Sequence, residues 1–168
     1  MMDILLRRGG SFVLFVLLQV LVLNNILFYG FINPYLYILF LITLPSNLSR
    51  SAFLLIGFFM GLLVDVFSGT PGCHASACVL LCALIPPLQN LFGPRSDHSS
   101  NVQPSFSTYG SGGFMQYAII LVVIHHFFFL LVEDGVLSDI FWILLKTLFS
   151  SIFTITMIWI LEMIKSKN

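Results

Sequence analysis

The sequence predicts an all-α, polytopic integral membrane protein, a single domain with six transmembrane helices. Of its 168 residues, 58% are hydrophobic and only 8% are charged, and the mean hydropathy is +1.03. A soluble domain carries about 25% charged residues, and an aqueous fold of this size could not bury so much apolar surface. Long apolar runs recur along the chain, as membrane spans require. The formal net charge is zero, which argues against nucleic acid as a partner.

The first two helices are predicted from an apolar run and a helix-start signal. Residues 11–28 are interpreted as an uncleaved span, because the run is long and no small-residue cleavage site follows it. Residues 34–44 form the second predicted helix, with Asn33 suited to the N-cap and Pro34 to the first turn. That helix is about 16 Å long against about 30 Å of hydrocarbon. It must begin earlier, cross a thin region or be half re-entrant.

Four more helices and one polar loop complete the prediction. Pro86 and Pro87 are expected to bend or end the fourth helix early. A segment rich in Ser, Gly, Pro and Asn is expected to be a flexible loop. The helices are expected over residues 51–68, 74–92, 114–132 and 137–164, and the loop over residues 93–113.

Charge predicts the orientation of the chain in the membrane. With the N-terminus in the cytoplasm and six crossings, the outer turns contain acidic residues and no Lys or Arg, in agreement with the positive-inside rule. Both termini are therefore expected in the cytoplasm. The basic residues placed inside are Arg7, Arg8, Arg50, Arg95, Lys165 and Lys167, and the acidic residues placed outside are Glu133, Asp134 and Asp139.

The most informative segment contains an acid within an apolar helix. Asp65 is followed by a turn from Ser68 through Gly69 to Gly72, and then by His74 at the start of the next helix. A carboxylate at membrane depth usually faces a partner or a cavity. The His74 ring could cap its helix, bond to Asp65 or Ser68, or bind a ligand, and a satisfied structural role is the commonest of these. A hydrolase is rejected, because Ser68 is not on a nucleophile elbow.

Lys146 is a candidate counter-charge for Asp65. Both residues fall in the outer half of the predicted membrane, and each is costly alone in hydrocarbon. They could pair or share a polar cluster. Alternatively, Lys146 extends outward alone and Asp65 reaches interfacial water.

Small and aromatic residues within the helices have structural interpretations. Gly57 and Gly61 form a G-x-x-x-G pattern, which permits close helix packing; packing within one chain is expected over dimerisation. The three cysteines are interpreted as small packing residues. Tyr35 and Tyr37 are candidates for anchoring at the membrane interface.

His125 and His126 are intramembrane polar candidates in the fifth helix. Adjacent helical side chains point about 100° apart, so these two cannot chelate one metal together. One is expected to face the bundle and to form a hydrogen bond across helices, with a proton relay as the lesser alternative. Neither a metal nor another cofactor is predicted.

Residues 61–75 resemble the bacterial rod shape-determining protein MreD, in its Bacteroidetes-like form. That family carries Gly-Leu-Leu-x-Asp-x-x-x-Gly, a short turn and then Gly-x-His-Ala. This chain has Gly-Leu-Leu-Val-Asp-Val-Phe-Ser-Gly over residues 61–69 and Gly-Cys-His-Ala over residues 72–75. Asn-Pro-Tyr at residues 33–35, the His pair and Glu133 are also similar, so the resemblance covers most of the chain. The turn here is one residue shorter than in many relatives, which leaves its fine geometry open.

The resemblance implies an inner-membrane scaffold and regulator with no reaction of its own. The family acts with MreC in the rod (elongation) complex, which links MreB filaments to the peptidoglycan polymerase RodA and its transpeptidase partner. Its bundle is similar to the six-helix S-components of vitamin transporters, with membrane lipid around it. The residues that would shape an outer pocket or the MreC contact are Gly61, Asp65, Ser68, Gly69, Gly72 and His74.

Two other functions remain open from the sequence. A small-solute-binding subunit resembling an S-component would explain an acid near the outer mouth, although few polar residues within the spans are apparent. An intramembrane enzyme has less support, because the sequence shows no catalytic constellation.

Overall fold

The structure, a computed structural model, describes residues 2–26, 32–94, 102–135 and 139–167, with side chains from residue 9 onwards. The described residues are helical, without strands, and they form six α-helices and a short 3₁₀-helix. In chain order these are α1 (Met2–Leu21), η1 (Leu23–Asn25), α2 (Ile38–Ile42), α3 (Arg50–Ser68), α4 (Cys73–Phe92), α5 (Phe106–Asp134) and α6 (Ile140–Lys167).

Four of the described helices, α3 to α6, are long and apolar enough to cross a membrane. The first helix contributes a shorter apolar stretch, Gly9–Asn25. The chain is therefore an all-helical, multi-pass membrane protein. Six transmembrane helices are not confirmed, because α2 is only five residues long instead of covering the predicted residues 34–44.

Neighbouring helices pack in chain order from α3 to α6, and α1 packs on α3. At one end of the bundle, here the turn end, α3 turns into α4 and Asn24 Nδ2 donates to Ser68 Oγ (2.7 Å). At the opposite end, here the tail end, Phe106 N at the start of α5 donates to Glu162 Oε2 near the end of α6 (3.3 Å). These contacts fix the up-and-down order of α3 to α6.

Residues 32–45, here the inner segment, run between the two ends through the middle of the bundle. Every residue from 34 to 42 is buried. Near the middle of α6, Ser150 Oγ accepts from Asn33 N (3.2 Å) and Thr154 Oγ1 accepts from Tyr35 N (3.1 Å). Both α6 and the inner segment advance toward the tail end, so the two run parallel here.

Side chains from other helices bond to further groups of this irregular backbone. Gln19 Nε2 donates to Pro34 O (2.9 Å), while Gln19 Oε1 accepts from Leu36 N (2.9 Å). Toward the tail end, Gln89 Nε2 donates to Leu44 O (2.8 Å). Non-helical backbone at membrane depth is tolerated only where protein or a polar cavity surrounds it, and the inner segment meets that condition.

The start of α5 differs from the prediction of helix over residues 114–132 and loop over residues 93–113. The helix begins at Phe106, because Ser105 caps it by accepting from Thr108 N (3.3 Å). Gly110 (φ 71°, ψ 156°) then separates a short first piece from the long one. Part of the predicted loop is therefore helical, and residues 95–101 lie outside the described residues.

The fourth helix also differs from the prediction. It runs to Phe92 through Pro86 and Pro87, so of the two expected effects, a bend or an early end, the early end was wrong. Membrane helices tolerate proline because neighbouring groups re-satisfy the freed backbone carbonyls.

Candidate functional site

Asp65 caps the N-terminus of α4 from the neighbouring helix. Its Oδ1 accepts from His74 N and Thr70 Oγ1, and its Oδ2 accepts from Ala75 N, each at 2.9 Å. The N-cap residue of α4 is Gly72, which has no side chain to do this. A carboxylate at a helix N-terminus satisfies orphan N–H groups and complements the helix dipole. The 3% exposed Asp65 therefore has its partners in the protein and not in interfacial water.

Gly61 makes this capping possible by letting α3 and α4 approach closely. A Cβ at Gly61 would lie 2.5 Å from both Ala75 Cα and His74 O, which is closer than real contacts allow. One turn earlier, a Cβ at Gly57 would lie 2.6 Å from Cys82 Sγ. The G-x-x-x-G face of α3 is thus filled by α4 of the same chain.

The turn between α3 and α4 depends on two left-handed glycines. Gly69 (φ 70°) ends α3 and Gly72 (φ 84°) begins α4, a conformation that favours glycine. Ser68 accepts from Asn24 and so ties η1 to the turn. Together with Asp65 these residues form a rigid corner at the turn end.

The His74 ring points away from Asp65 and into the bundle. Its Nδ1 lies 2.8 Å from Tyr37 Oη, and the same hydroxyl lies 2.9 Å from His125 Nε2. A hydroxyl has one proton, so Tyr37 donates to one imidazole and accepts from the N–H of the other. The prediction that the ring could bond to Asp65 or Ser68 is replaced by this bond to the inner segment.

His126 joins the same region through a second set of hydrogen bonds. Its Nδ1 lies 2.8 Å from Val122 O, and its Nε2 lies 3.1 Å from Thr154 Oγ1. A carbonyl only accepts, so Nδ1 carries the proton and Nε2 accepts from Thr154. Both histidines are fully buried, whereas the sequence led us to expect only one to face the bundle.

Aromatic packing unites these side chains into one imidazole–phenol cluster. The His74 ring stacks on Phe129 with centroids 4.1 Å apart, and Tyr35 lies edge-on to Phe129 at 4.9 Å. Tyr35 and Tyr37 are buried here, so the expectation of interface anchoring was wrong for both. The members of the cluster are Tyr35, Tyr37, His74, His125, His126 and Phe129.

The cluster provides hydrogen-bonding side chains inside the bundle. Within the part of the chain that the structure describes, no group of three or more His, Cys, Asp or Glu side chains is placed to hold a metal ion. His125 Nδ1 is buried without a hydrogen-bond partner among those residues. The arrangement can hold the inner segment rigidly, because the Tyr37 hydroxyl joins His74 to His125 by two hydrogen bonds.

Lys146 does not serve as the counter-charge of Asp65. Its Nζ lies 3.0 Å from Asp134 Oδ2 at the end of α5, because antiparallel packing brings the two residues to the same level. Asp65 already accepts three hydrogen bonds around the start of α4. The expected pair is therefore wrong, and so is the alternative of an unpaired Lys146.

Sequence reasoning missed the residues that hold the inner segment. Gln19 and Thr154 act on backbone that is far away in sequence, and no local pattern indicates this. A signal did exist on α6, where Thr147, Ser150, Ser151 and Thr154 recur at helical spacing on one buried face.

Comparison of this chain with protein-family models, with curated proteins and with solved structures finds no match.

Proposed function

We propose that this protein is a non-enzymatic membrane scaffold of the MreD type, which acts with MreC in the bacterial rod complex to control cell shape and peptidoglycan synthesis. The observation that carries the proposal is the pattern in residues 61–75, which resembles that family. Its spacing has a physical explanation, since Gly61 permits close packing and Asp65 caps α4. A pattern with such a strict geometric role supports a shared fold at this corner.

The corner itself supports a role in recognition through its outward side. Asp65 and His74 are buried below the turn and support it from inside the bundle. Val66 and Phe67, which follow Asp65 in sequence, are 70% and 63% exposed. A rigid corner that displays apolar side chains suits contact with a membrane-embedded partner. We therefore assign the MreC contact to Val66 and Phe67, with Asp65, His74 and the glycines as positioning residues.

The proposal includes six passes through the bacterial inner membrane, with both termini in the cytoplasm. The inner segment would provide the second pass, since it runs between the two ends of the bundle. The acidic residues Glu133, Asp134 and Asp139 lie at the turn end, and Lys165 and Lys167 lie at the tail end. This distribution supports a periplasmic turn end by the positive-inside rule.

Affinity purification in mild detergent tests the proposal. We expect tagged protein to recover MreC from cells, and Phe67→Ala to reduce that recovery several-fold. Leu91→Ala is the matched control, because Leu91 is 72% exposed and lies near the tail end, where no loss is expected. Failure to recover MreC under conditions that preserve other rod-complex contacts would contradict the proposal.

A second candidate is a small-solute-binding subunit resembling an S-component. The structure places more polar groups inside the bundle than the sequence suggested, including Tyr37, His74 and His125. Ligand sites combine apolar walls with a few convergent polar groups, and this interior has such groups. Recovery of a stoichiometric small molecule without MreC would favour this candidate.

A further inference from the structure

Three buried oxygen atoms in the described bundle lack a hydrogen-bond partner. They are Asn33 Oδ1, Thr147 Oγ1 and Ser151 Oγ. The two hydroxyl residues are only 5% and 2% exposed. A polar group buried in an apolar interior without a partner is unfavourable, so these oxygens call for a ligand.

One backbone hydrogen bond places Asn33 at the turn of α6 that carries the two hydroxyl residues. Thr147 and Ser151 are four residues apart and therefore share one face of α6. Ser150, within the same turn, accepts from Asn33 N at 3.2 Å. The inner segment thus lies, at Asn33, against the turn of α6 that carries the two hydroxyl groups.

The two hydroxyl groups do not use the local alternative available to them. Serine and threonine in helices commonly donate to the carbonyl four residues earlier. Thr156 on the same helix does so, to Ile152 O at 2.8 Å, and Thr43 does so to Leu39 O at 2.8 Å. Thr147 and Ser151 remain available for a ligand instead.

The donor and acceptor capacity of the three oxygens indicates which kind of ligand they could bind. Asn33 Oδ1 only accepts, while the two hydroxyl groups both donate and accept. An anionic ligand would need a positive partner, and nearby Lys146 is already paired with Asp134. We propose that Asn33, Thr147 and Ser151 form a buried binding site for a neutral hydroxyl group, supplied either by water or by the hydroxyl of a lipid headgroup.

Replacing each hydroxyl residue by an apolar residue of similar size tests the site, because a bound ligand and an empty site predict opposite changes in melting temperature. If a ligand bridges the hydroxyl groups, Thr147→Val and Ser151→Ala each lower the melting temperature by about 2–4 °C, and the double variant loses less than their sum. Thr156→Val, at an exposed position, is the control. If the two hydroxyl groups have no ligand, both variants leave the melting temperature unchanged or raise it, because an unfavourable buried polar group has been removed. That result, or additive losses, would overturn the proposal.

Two further arms identify the source of the hydroxyl group. If the coupling between Thr147 and Ser151 survives delipidation, checked by native mass spectrometry, water is the ligand. If it disappears and returns with phosphatidylglycerol but not with phosphatidylethanolamine, whose headgroup lacks hydroxyls, a lipid is the ligand. Coupling that appears in sodium chloride but not in choline chloride would mean a bound cation and would overturn the proposal.

Discussion

Asp65 shows how one charged residue can be accommodated at membrane depth without a counter-ion. Three donors surround its carboxylate, and two of them are the backbone N–H groups of His74 and Ala75. Hydrogen bonds from several donors to an ionised group are stronger than neutral ones. The partner expected for Asp65 from the sequence is thus the N-terminus of α4. Lys146 pairs with Asp134 instead.

Removal of this carboxylate should destabilise the protein strongly. Asp65→Ala leaves two buried backbone donors and the half-buried Thr70 hydroxyl without an acceptor, so we expect the free energy of unfolding to fall by about 2–4 kcal/mol. Asp65→Asn keeps one acceptor oxygen and should lose less. Thermal or denaturant unfolding in detergent measures both, with exposed Asp139→Asn as the control. Equal stability of Asp65→Ala and the wild type would show that the cap is dispensable.

Lys146 and Asp134 illustrate an ion pair of small energetic weight. Their side chains are 27% and 30% exposed, and partly solvated pairs contribute about 0–1 kcal/mol. The pair therefore aligns α5 with α6 more than it stabilises them.

Among the elements, α3 and α4 are the most tightly joined. A Cβ at Gly61 would collide with the backbone of His74 and Ala75, and backbone atoms cannot rotate away as a flexible side chain would. The distance between α3 and α4 therefore determines where the corner at the turn end lies.

Gly61→Ala should separate these two helices. We expect a loss of stability of about 1–3 kcal/mol from overpacking, and weaker capping of α4 by Asp65. The measurement is thermal unfolding, with Gly112→Ala as the control variant. A Cβ at Gly112 meets open space, and alanine has a higher helix propensity than glycine. A Gly61→Ala protein as stable as Gly112→Ala would contradict the close approach.

The elements also show what the sequence could predict. Apolar runs of sufficient length indicated α3 to α6, because length and hydropathy are local properties. The inner segment could not be predicted in the same way. Its backbone partners Ser150 and Thr154 are 117 and 119 residues away from Asn33 and Tyr35, so the sequence suggested a longer helix where the structure has five helical residues.

The candidate site was predictable only in part for the same reason. Asp65, Gly61 and His74 stand out in the sequence because polar or small residues interrupt an apolar run. Tyr37 and the α6 hydroxyl residues become a site only when the inner segment passes beside them. Composition indicates that polar groups are present, whereas tertiary packing decides which of them meet.

At the scale of the whole molecule, the described helices leave a groove in the surface of the bundle. An apolar groove of about 380 Å³ lies between α1 and α6, with Leu36 of the inner segment among its lining residues. In a bilayer such a groove faces acyl chains, because its lining has no polar surface to hydrate. The lining residues are Leu14, Phe15, Leu18, Leu36, Met157, Ile160 and Leu161.

The proposed orientation of the whole molecule can be tested by cysteine labelling. In a Cys73→Ser background, we expect an impermeant maleimide to label Asp139→Cys on intact spheroplasts, because the turn end would face the periplasm. Lys167→Cys at the tail end should be labelled only after lysis. The reverse pattern would invert the proposed orientation.

The dependence of the inner segment on α6 has a consequence for the order of events during synthesis. The ribosome makes Asn33 and Tyr35 long before it makes Ser150 and Thr154. In the folded protein, however, the backbone N–H groups of the first two donate to the hydroxyl groups of the last two. Until the last helix is inserted, these donors must be satisfied by translocon, water or a temporary partner. The inner segment therefore reaches its final conformation only after Ser150 and Thr154 of α6 have been made and inserted, and truncation within α6 should destabilise the inner segment.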